Sequence, residues 1–150
     1  MSTQTLVTDF LAQRKLAVVG ISRNGKGFGN VIYKELRARG YQVFAVHPQA
    51  SEINGSACSP SVRQLPEPVG GVVIVVPPRE TEKVVQEVAQ AGIPRIWMQQ
   101  GSESSAAIRH CEDNGVRVVH GHCILMFLEP AAFLHRFHRW LWGVLGKLPR

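Results

Sequence analysis

Leu16-Ala-Val-Val-Gly20-Ile-Ser-Arg-Asn-Gly25-Lys-Gly27-Phe-Gly29 is the stretch on which the reading of this chain turns. An apolar run ends at a glycine, a glycine-rich loop follows over 20–29, and a helical pattern runs from Asn30 to Arg39. Strand, loop and helix in that order leave backbone N–H groups at a helix N-terminus, where a phosphate or diphosphate can be held. The spacing excludes two other phosphate loops. Glycines at 20, 25, 27 and 29 do not make the Gly-x-Gly-x-x-Gly fingerprint, and Lys26 is not followed by Ser or Thr as a Walker A loop requires. A NAD site also asks for Asp or Glu at the end of the second strand, where this chain has Val46-His47-Pro48-Gln49.

Outward from that loop, strands and helices alternate. A short helix is expected over 3–13, with Leu6, Val7, Phe10 and Leu11 on one face. Lys15–Gly20 reads as a strand that is apolar throughout, as a strand covered on both faces should be. Gly40 suits the position just past the helix 30–39. Tyr41–Val46 is the second strand, and 49–69 is an irregular connection with room for a short strand near 56–58 and a helical turn near 60–65. Gly71–Val76 is the strongest strand pattern and stops at Pro77-Pro78. A helix over 80–91 closes on Gly92, Arg95–Met98 is a strand, Ser102 is placed to cap a helix over 103–113, and Val116–His120 is the last strand. Such alternation gives right-handed βαβ units. The expected fold is α/β: a Rossmann-like, doubly wound, mainly parallel sheet of about five strands with helices on both faces, plus a C-terminal helix. Residues 1–150 read as one domain, with a core at about 14–128 and the last helix at about 130–146.

In such a sheet the ligand lies beyond the carboxyl ends of the strands, at the switch point. The candidate segments are therefore 20–29, 47–49, 76–79, 99–101 and 120–123. Val76-Pro77-Pro78 removes two consecutive N–H donors, so it can wall a flat adenine or a pantetheine arm but cannot form a donor nest. Gln99-Gln100-Gly101-Ser102 offers amide side chains and a helix start to amide or phosphate oxygens.

With a hydrophobic fraction of 45% and a charged fraction of 19%, the composition is globular. The net charge of +6 suits an anionic ligand. Much of the excess falls after Pro130, where Arg136, Arg139, Lys147 and Arg150 have no acidic neighbour. No secretory signal and no membrane-spanning run is visible, and three widely spaced cysteines, Cys58, Cys111 and Cys123, contain no CxxC. A reducing cytoplasm is the expected setting.

The order of segments carries more than any one of them. Val18–Ser22, the glycine-rich turn, Tyr41–Pro48 with its Tyr-x-Val-x-x-Val-x-Pro pattern, Ile53-Asn-Gly55, Leu65–Val69, Val75–Pro78, Ala91–Gly101 and Gly115–Val119 together resemble the CoA-binding domain family. That family looks like the N-terminal domain of the succinyl-CoA synthetase alpha subunit, and the resemblance covers about residues 14–128. It implies coenzyme A, free or acylated, held across the strand ends. Gly20, Ser22, Arg23, Asn24, Gly25, Lys26 and Gly27 would take the phosphates. Pro48 and Gln49 would line the second strand end. Val76, Pro77 and Pro78 would face the adenine or pantetheine, and Gln99, Gln100 and Gly101 would close the site. Two places depart from the family's pattern: Gln49 stands where stand-alone members often have Lys, and Val76–Arg79 stands where they have an Arg-Arg-Pro-Glu-like segment. The synthetase's phosphorylated histidine lies on another domain, so no catalytic residue is assigned and the reading leans away from an enzyme.

Other constellations are weaker. His120 and His122 on one strand, with Cys123, His110 and Cys111, lack a paired ligand set at zinc spacing, so no metal site is assigned. Cys123 is a thiol at a strand end or a small buried hydrophobe. In the last stretch Phe133, Phe137, Trp140, Leu141 and Val144 form an apolar stripe opposite His135, Arg136, His138 and Arg139. That stripe reads as a helix docked on the sheet or on a second subunit, and alternatively, with Trp142, as a surface for a membrane. Nothing else supports nucleic acid, and self-association is left open. Two rivals to a CoA-binding module remain: an NAD(P)- or nucleotide-sugar-dependent Rossmann enzyme or redox sensor, and an interaction module that docks a partner or membrane through the last helix.

Overall fold

A computed structural model describes residues 2–53 and 56–128. The expected C-terminal helix and its apolar stripe lie outside the described residues. Among the described residues, four α-helices and seven strands follow in the order α1 (Thr3–Leu11), β1 (Lys15–Val19), α2 (Phe28–Ala38), β2 (Gln42–Val46), β3 (Glu52–Ile53), β4 (Ser56–Ser59), β5 (Gly71–Ile74), α3 (Pro78–Gln90), β6 (Arg95–Gln99), α4 (Ser105–Asp113) and β7 (Arg117–His122). Short 3-10 turns occupy Val62–Gln64 and Ile124–Phe127.

The sheet runs in the order β3-β4-β2-β1-β5-β6-β7. Every pairing is parallel except β3 with β4. The long strands expected from the sequence form its body, and β3 and β4 add a small edge beside β2. The β3 segment carries no alternating apolar pattern, which is why only its partner near 56–58 was legible. Order reverses at β1: the chain leaves it for β2 on one side and later returns to β5 on the other. The crevice at this reversal is where ligands enter doubly wound sheets.

Both faces of the sheet are covered. Leu16 and Val18 join Val73, Trp97 and Val119 in a cluster under α1 and α2, whereas Ala17 joins Val72, Ile74, Ile96 and Met98 under α3 and α4. That alternation explains why the strands read as continuous apolar runs. Trp97 is the largest fully buried side chain. Its ring meets Phe10 edge-on at 5.5 Å, and its Nε1 donates to the His122 carbonyl at 3.0 Å.

Boundaries moved where local chemistry overrode periodicity. Helix α2 begins at Phe28, two residues before the expected Asn30, and α3 begins at Pro78, whose fixed φ suits a first helical position. The cap of α4 is Ser104, not Ser102: its hydroxyl accepts from Ala107 N at 3.2 Å, and Ser102 instead closes a turn through its N–H to the Gln99 carbonyl. No helix among the described residues is long and apolar enough to cross a membrane.

At the amino ends of the strands, α1 is pinned by charge. Asp9 accepts from Arg95 Nε at 2.7 Å and from Arg117 Nη1 at 3.1 Å, and these arginines open β6 and β7. The hydrogen bond from Arg95, helped by that from Arg117 and opposed by partial burial, holds the Asp9 carboxyl below the usual carboxylate range. A depressed folded-state value means the stabilisation is present above the unfolded pKa of about 3.9 and is lost as pH falls through the lower folded value. Asp9→Asn is therefore expected to cost about 1–2 kcal/mol at neutral pH. The gap to the parent should narrow as urea titrations are repeated from pH 7 toward pH 3. A gap that stays constant would remove the carboxylate as its cause.

Candidate functional site at the carboxyl ends of β1, β2 and β5

Register brings the site together. Val19 is level with Val46 on one side and with Ile74 on the other, so β1, β2 and β5 leave the sheet side by side. The exit of β1 is then squeezed. A Cβ on Gly20 would lie 2.1 Å from the Val75 carbonyl oxygen, and Gly20 itself has φ +115°. A Cβ on Gly29 would lie 2.3 Å from the Gly20 carbonyl oxygen. Only glycine lets strand, neighbouring strand end and helix meet this closely.

Asn30 fixes the loop that results. It is buried, and its side chain pairs with one residue of backbone: Oδ1 accepts from Ser22 N at 2.9 Å while Nδ2 donates to the Ser22 carbonyl at 3.1 Å. Asn24 Oδ1 in turn accepts from Lys26 N at 2.8 Å. Ser22 Oγ sits among Asn24 Oδ1, Asn30 Oδ1 and the Lys26 carbonyl, with a single proton to give. Helix α2 opens on Gly27, which supplies no side-chain cap. The helix start is thus presented by a loop whose shape is set by its own side chains.

At the second strand end, His47 Nδ1 accepts from both Gln49 N and Ala50 N at 3.0 Å, which leaves the proton of a neutral ring on Nε2 and turns Pro48-Gln49 outward. Arg23 reaches over from the loop, and its Nη2 donates to Gln49 Oε1 at 3.3 Å. The third end bears the prolines. Pro77 and Pro78 are exposed, Val75 and Val76 half-buried, and the Pro77 carbonyl accepts from Thr81 N at 3.1 Å. Arg23, Lys26 and Arg79 are all exposed on this side and enter no ion pair among the described residues.

The fourth end differs from the sequence expectation. Gln99 is buried and its Oε1 accepts from Ile124 N at 3.1 Å, so its amide ties β6 to the turn after β7. Gln100 and Gly101 are exposed, but Gly101 N already donates to Glu103 Oε1 at 2.9 Å, and Glu103 Oε2 takes Gly121 N at 2.8 Å. Sequence reasoning missed Glu103. Its only signal is an acid just ahead of a helix start, where a carboxylate is drawn to N–H groups. Cys123 is buried too, and burial pushes its thiol up to about 11, as it does for Cys111. The half-buried Cys58 is also raised by burial. His120 and His122 are exposed, and no group of three or more His, Cys, Asp or Glu converges among the described residues.

Comparison with known proteins accords with this geometry. The family model for the CoA binding domain matches residues 14–129. The chain belongs to the CoA-binding domain family. Among curated relatives of this CoA-binding domain, the ADP-forming acetate–CoA ligase I of Archaeoglobus fulgidus is 32% identical over 134 residues. Those residues are 83% of this chain and 20% of the ligase, so the chain spans about a fifth of that relative's length. A conserved hypothetical protein of Pyrococcus furiosus has a solved structure with TM-score 0.73 and 41% identity, over 77% of this chain and 99% of that one. The dinucleotide-forming acetyl-coenzyme A synthetase 1 of Candidatus Korarchaeum cryptofilum, solved with phosphate and ADP, gives TM-score 0.63 at 28% identity over 70% of this chain and 25% of that one.

Two outcomes test the site's construction. Gly29→Ala should destabilise the protein by about 2–4 kcal/mol in urea titrations, because a methyl group has to displace the Gly20 carbonyl; a near-neutral variant would show that the contact relaxes freely. In native protein at about pH 8, Ellman's reagent should leave Cys111 and Cys123 untouched over times that label both in denaturant. Rapid labelling of Cys123 in the folded state would contradict its burial.

Proposed function

We propose that this CoA-binding domain holds coenzyme A, free or acylated, at the carboxyl ends of β1, β2 and β5, and that it does so without chemistry of its own. The observation that carries the reading is the loop 20–27. It delivers an uncapped helix start, with Arg23 and Lys26 beside it, to the switch point of the sheet. A diphosphate would lie against Ser22–Gly27 and the first turn of α2, where N–H groups and the helix dipole favour negative charge. The adenosine would lie towards Pro48 and Gln49, and the flat faces of Pro77 and Pro78, with Val76, would line the adenine or the pantetheine arm. Gln100 and Gly101 would form the far rim. Gln99, in this reading, supports that rim from inside rather than touching ligand.

Two features disfavour the NAD reading. The end of β2 has no acid to receive a ribose diol, and the glycine spacing is not the dinucleotide fingerprint. A reducing, cytoplasmic setting accords with three free cysteines, of which Cys111 and Cys123 are buried. At a hundredfold excess over its Kd, CoA should raise the melting temperature by roughly 5–10 °C, whereas NAD+ or inorganic phosphate at the same concentration should not. No response to millimolar CoA or acetyl-CoA would remove the proposal.

A further inference from the structure

The ring of His47 serves as a turn residue. Its Nδ1 accepts from Gln49 N and from Ala50 N, both at 3.0 Å, while the His47 backbone N–H donates to the Ser59 carbonyl at 2.9 Å. We infer that His47 is the positioning residue of the Pro48–Gln49 turn, and that protonation of its ring opens the turn and weakens ligand binding as the pH falls. The inference rests on the proposed CoA reading and adds to it a condition under which the site is formed.

Turns of this kind are commonly folded by Asn or Asp, whose side-chain oxygen accepts from the backbone two residues on. An amide oxygen accepts at any pH. An imidazole accepts only while it is neutral, because the imidazolium carries a proton on each nitrogen and has no acceptor left. Histidine is also the side chain that ordinarily changes charge between about pH 5 and pH 8. A proton on Nδ1 therefore removes both bonds at once and turns the ring N–H against the two backbone N–H groups. Ala50 remains packed against the core cluster beneath α1 and α2, whereas Pro48 and Gln49 are exposed. The part set free is thus the part turned to the ligand side. No neighbouring group compensates for the proton. On β4, Cys58 lies within reach of the His47 backbone, and burial raises its thiol, so it stays uncharged across that range. From the loop 20–27 comes Arg23, which holds Gln49 and is a cation throughout. Strand β3 opens on the exposed Glu52, and His47 enters no ion pair among the described residues. The closed turn excludes the proton and the open turn admits it. Its contribution to binding is therefore complete at high pH and lost as the pH falls.

Isothermal titration of the full chain with CoA, compared across the parent, His47→Asn and His47→Ala, tests this. Relative to His47→Asn, the parent should lose about three- to tenfold in affinity between about pH 8 and about pH 5.5, as the loss of one or two hydrogen bonds implies. His47→Asn keeps an acceptor that does not titrate, so it should retain most of the affinity at every pH. His47→Ala has no acceptor and should bind weakly throughout. The phosphate monoester of CoA takes up a proton near about pH 6, so the quantity read is the ratio of parent to variant at each pH. In NMR spectra of the ligand-free parent, the amide signals of Gln49 and Ala50 should move in step with the His47 ring as it titrates. A ratio that stays constant with pH would overturn the inference. So would a ratio that favours the parent at low pH, where the imidazolium would be attracting the ligand's phosphates. Amide signals that ignore the titration of the ring would overturn it too. Absence of CoA binding by the parent at about pH 8 would sink the CoA reading, and the ligand-free spectra would still decide whether the ring holds the turn.

Discussion

Three backbones meet where β1 ends, and much else in the molecule is arranged around that contact. Gly20 lies against the Val75 carbonyl, and Gly29 lies against the Gly20 carbonyl. The first contact sets how closely β1 and β5 leave the sheet together. The second sets how near α2 comes to the strand that precedes it. A side chain at either position would have to displace the carbonyl it meets, and with it the spacing of β1 from the end of β5 or from α2. At Ser22 the loop's backbone is satisfied from within, by the reciprocal pairing of Asn30 with the Ser22 N–H and carbonyl. A buried asparagine in the first turn of a helix is costly unless all its partners are present, and here the partners are the loop itself.

The carboxyl edge of the sheet consequently divides into two halves of different character. On the side of α2, the helix start is uncapped and the nearby side chains are cationic. On the side of α4, the Gly101, Ala107, Gly121 and Ile124 N–H groups are taken up within the fold. Ser104 caps the helix, Glu103 spans the turns after β6 and β7, and Gln99 is drawn inward to Ile124. A carboxylate in that position also repels an anion. Of the three helix starts at the carboxyl edge, those of α2 and α3 have no side-chain cap, whereas that of α4 is capped by Ser104.

Much of this was legible in the residues. The loop 20–29, the apolar strands and the turn at Gly40 follow from local rules that the fold does not override, and the order of the segments alone points to the CoA-binding domain family. The misreadings share a cause. Ser102 and Ser104 are equally good caps by type, and only the path of the chain after β6 chooses between them. Gln99 and Gln100 are adjacent amides, and the alternation of a strand decides that the first is buried and the second exposed. Glu103 acts through N–H groups of Gly101 and Gly121, the second of which is far away in sequence, so no local pattern announces it. The same holds for Arg23 and Gln49, joined across strands whose register sequence alone does not give.

The distribution of charge gives these local arrangements a common direction. Three of the four ion pairs among the described residues sit at the amino ends of strands: Asp9 with Arg95 at the start of β6, Asp9 with Arg117 at the start of β7, and Lys15 at the start of β1 with Glu67. The fourth, Arg39 with Glu35, lies at the end of α2 away from the loop. Lys15, Arg95 and Arg117 at the amino ends are therefore paired within the fold, where they fasten α1 and the strand starts. Arg23, Lys26 and Arg79, at the carboxyl ends, enter no ion pair among the described residues. A net positive charge spread evenly would attract anions to every surface and orient none of them. Cancelled at one end and uncancelled at the other, it adds to the dipole of α2 in favouring negative charge at the carboxyl ends of β1, β2 and β5.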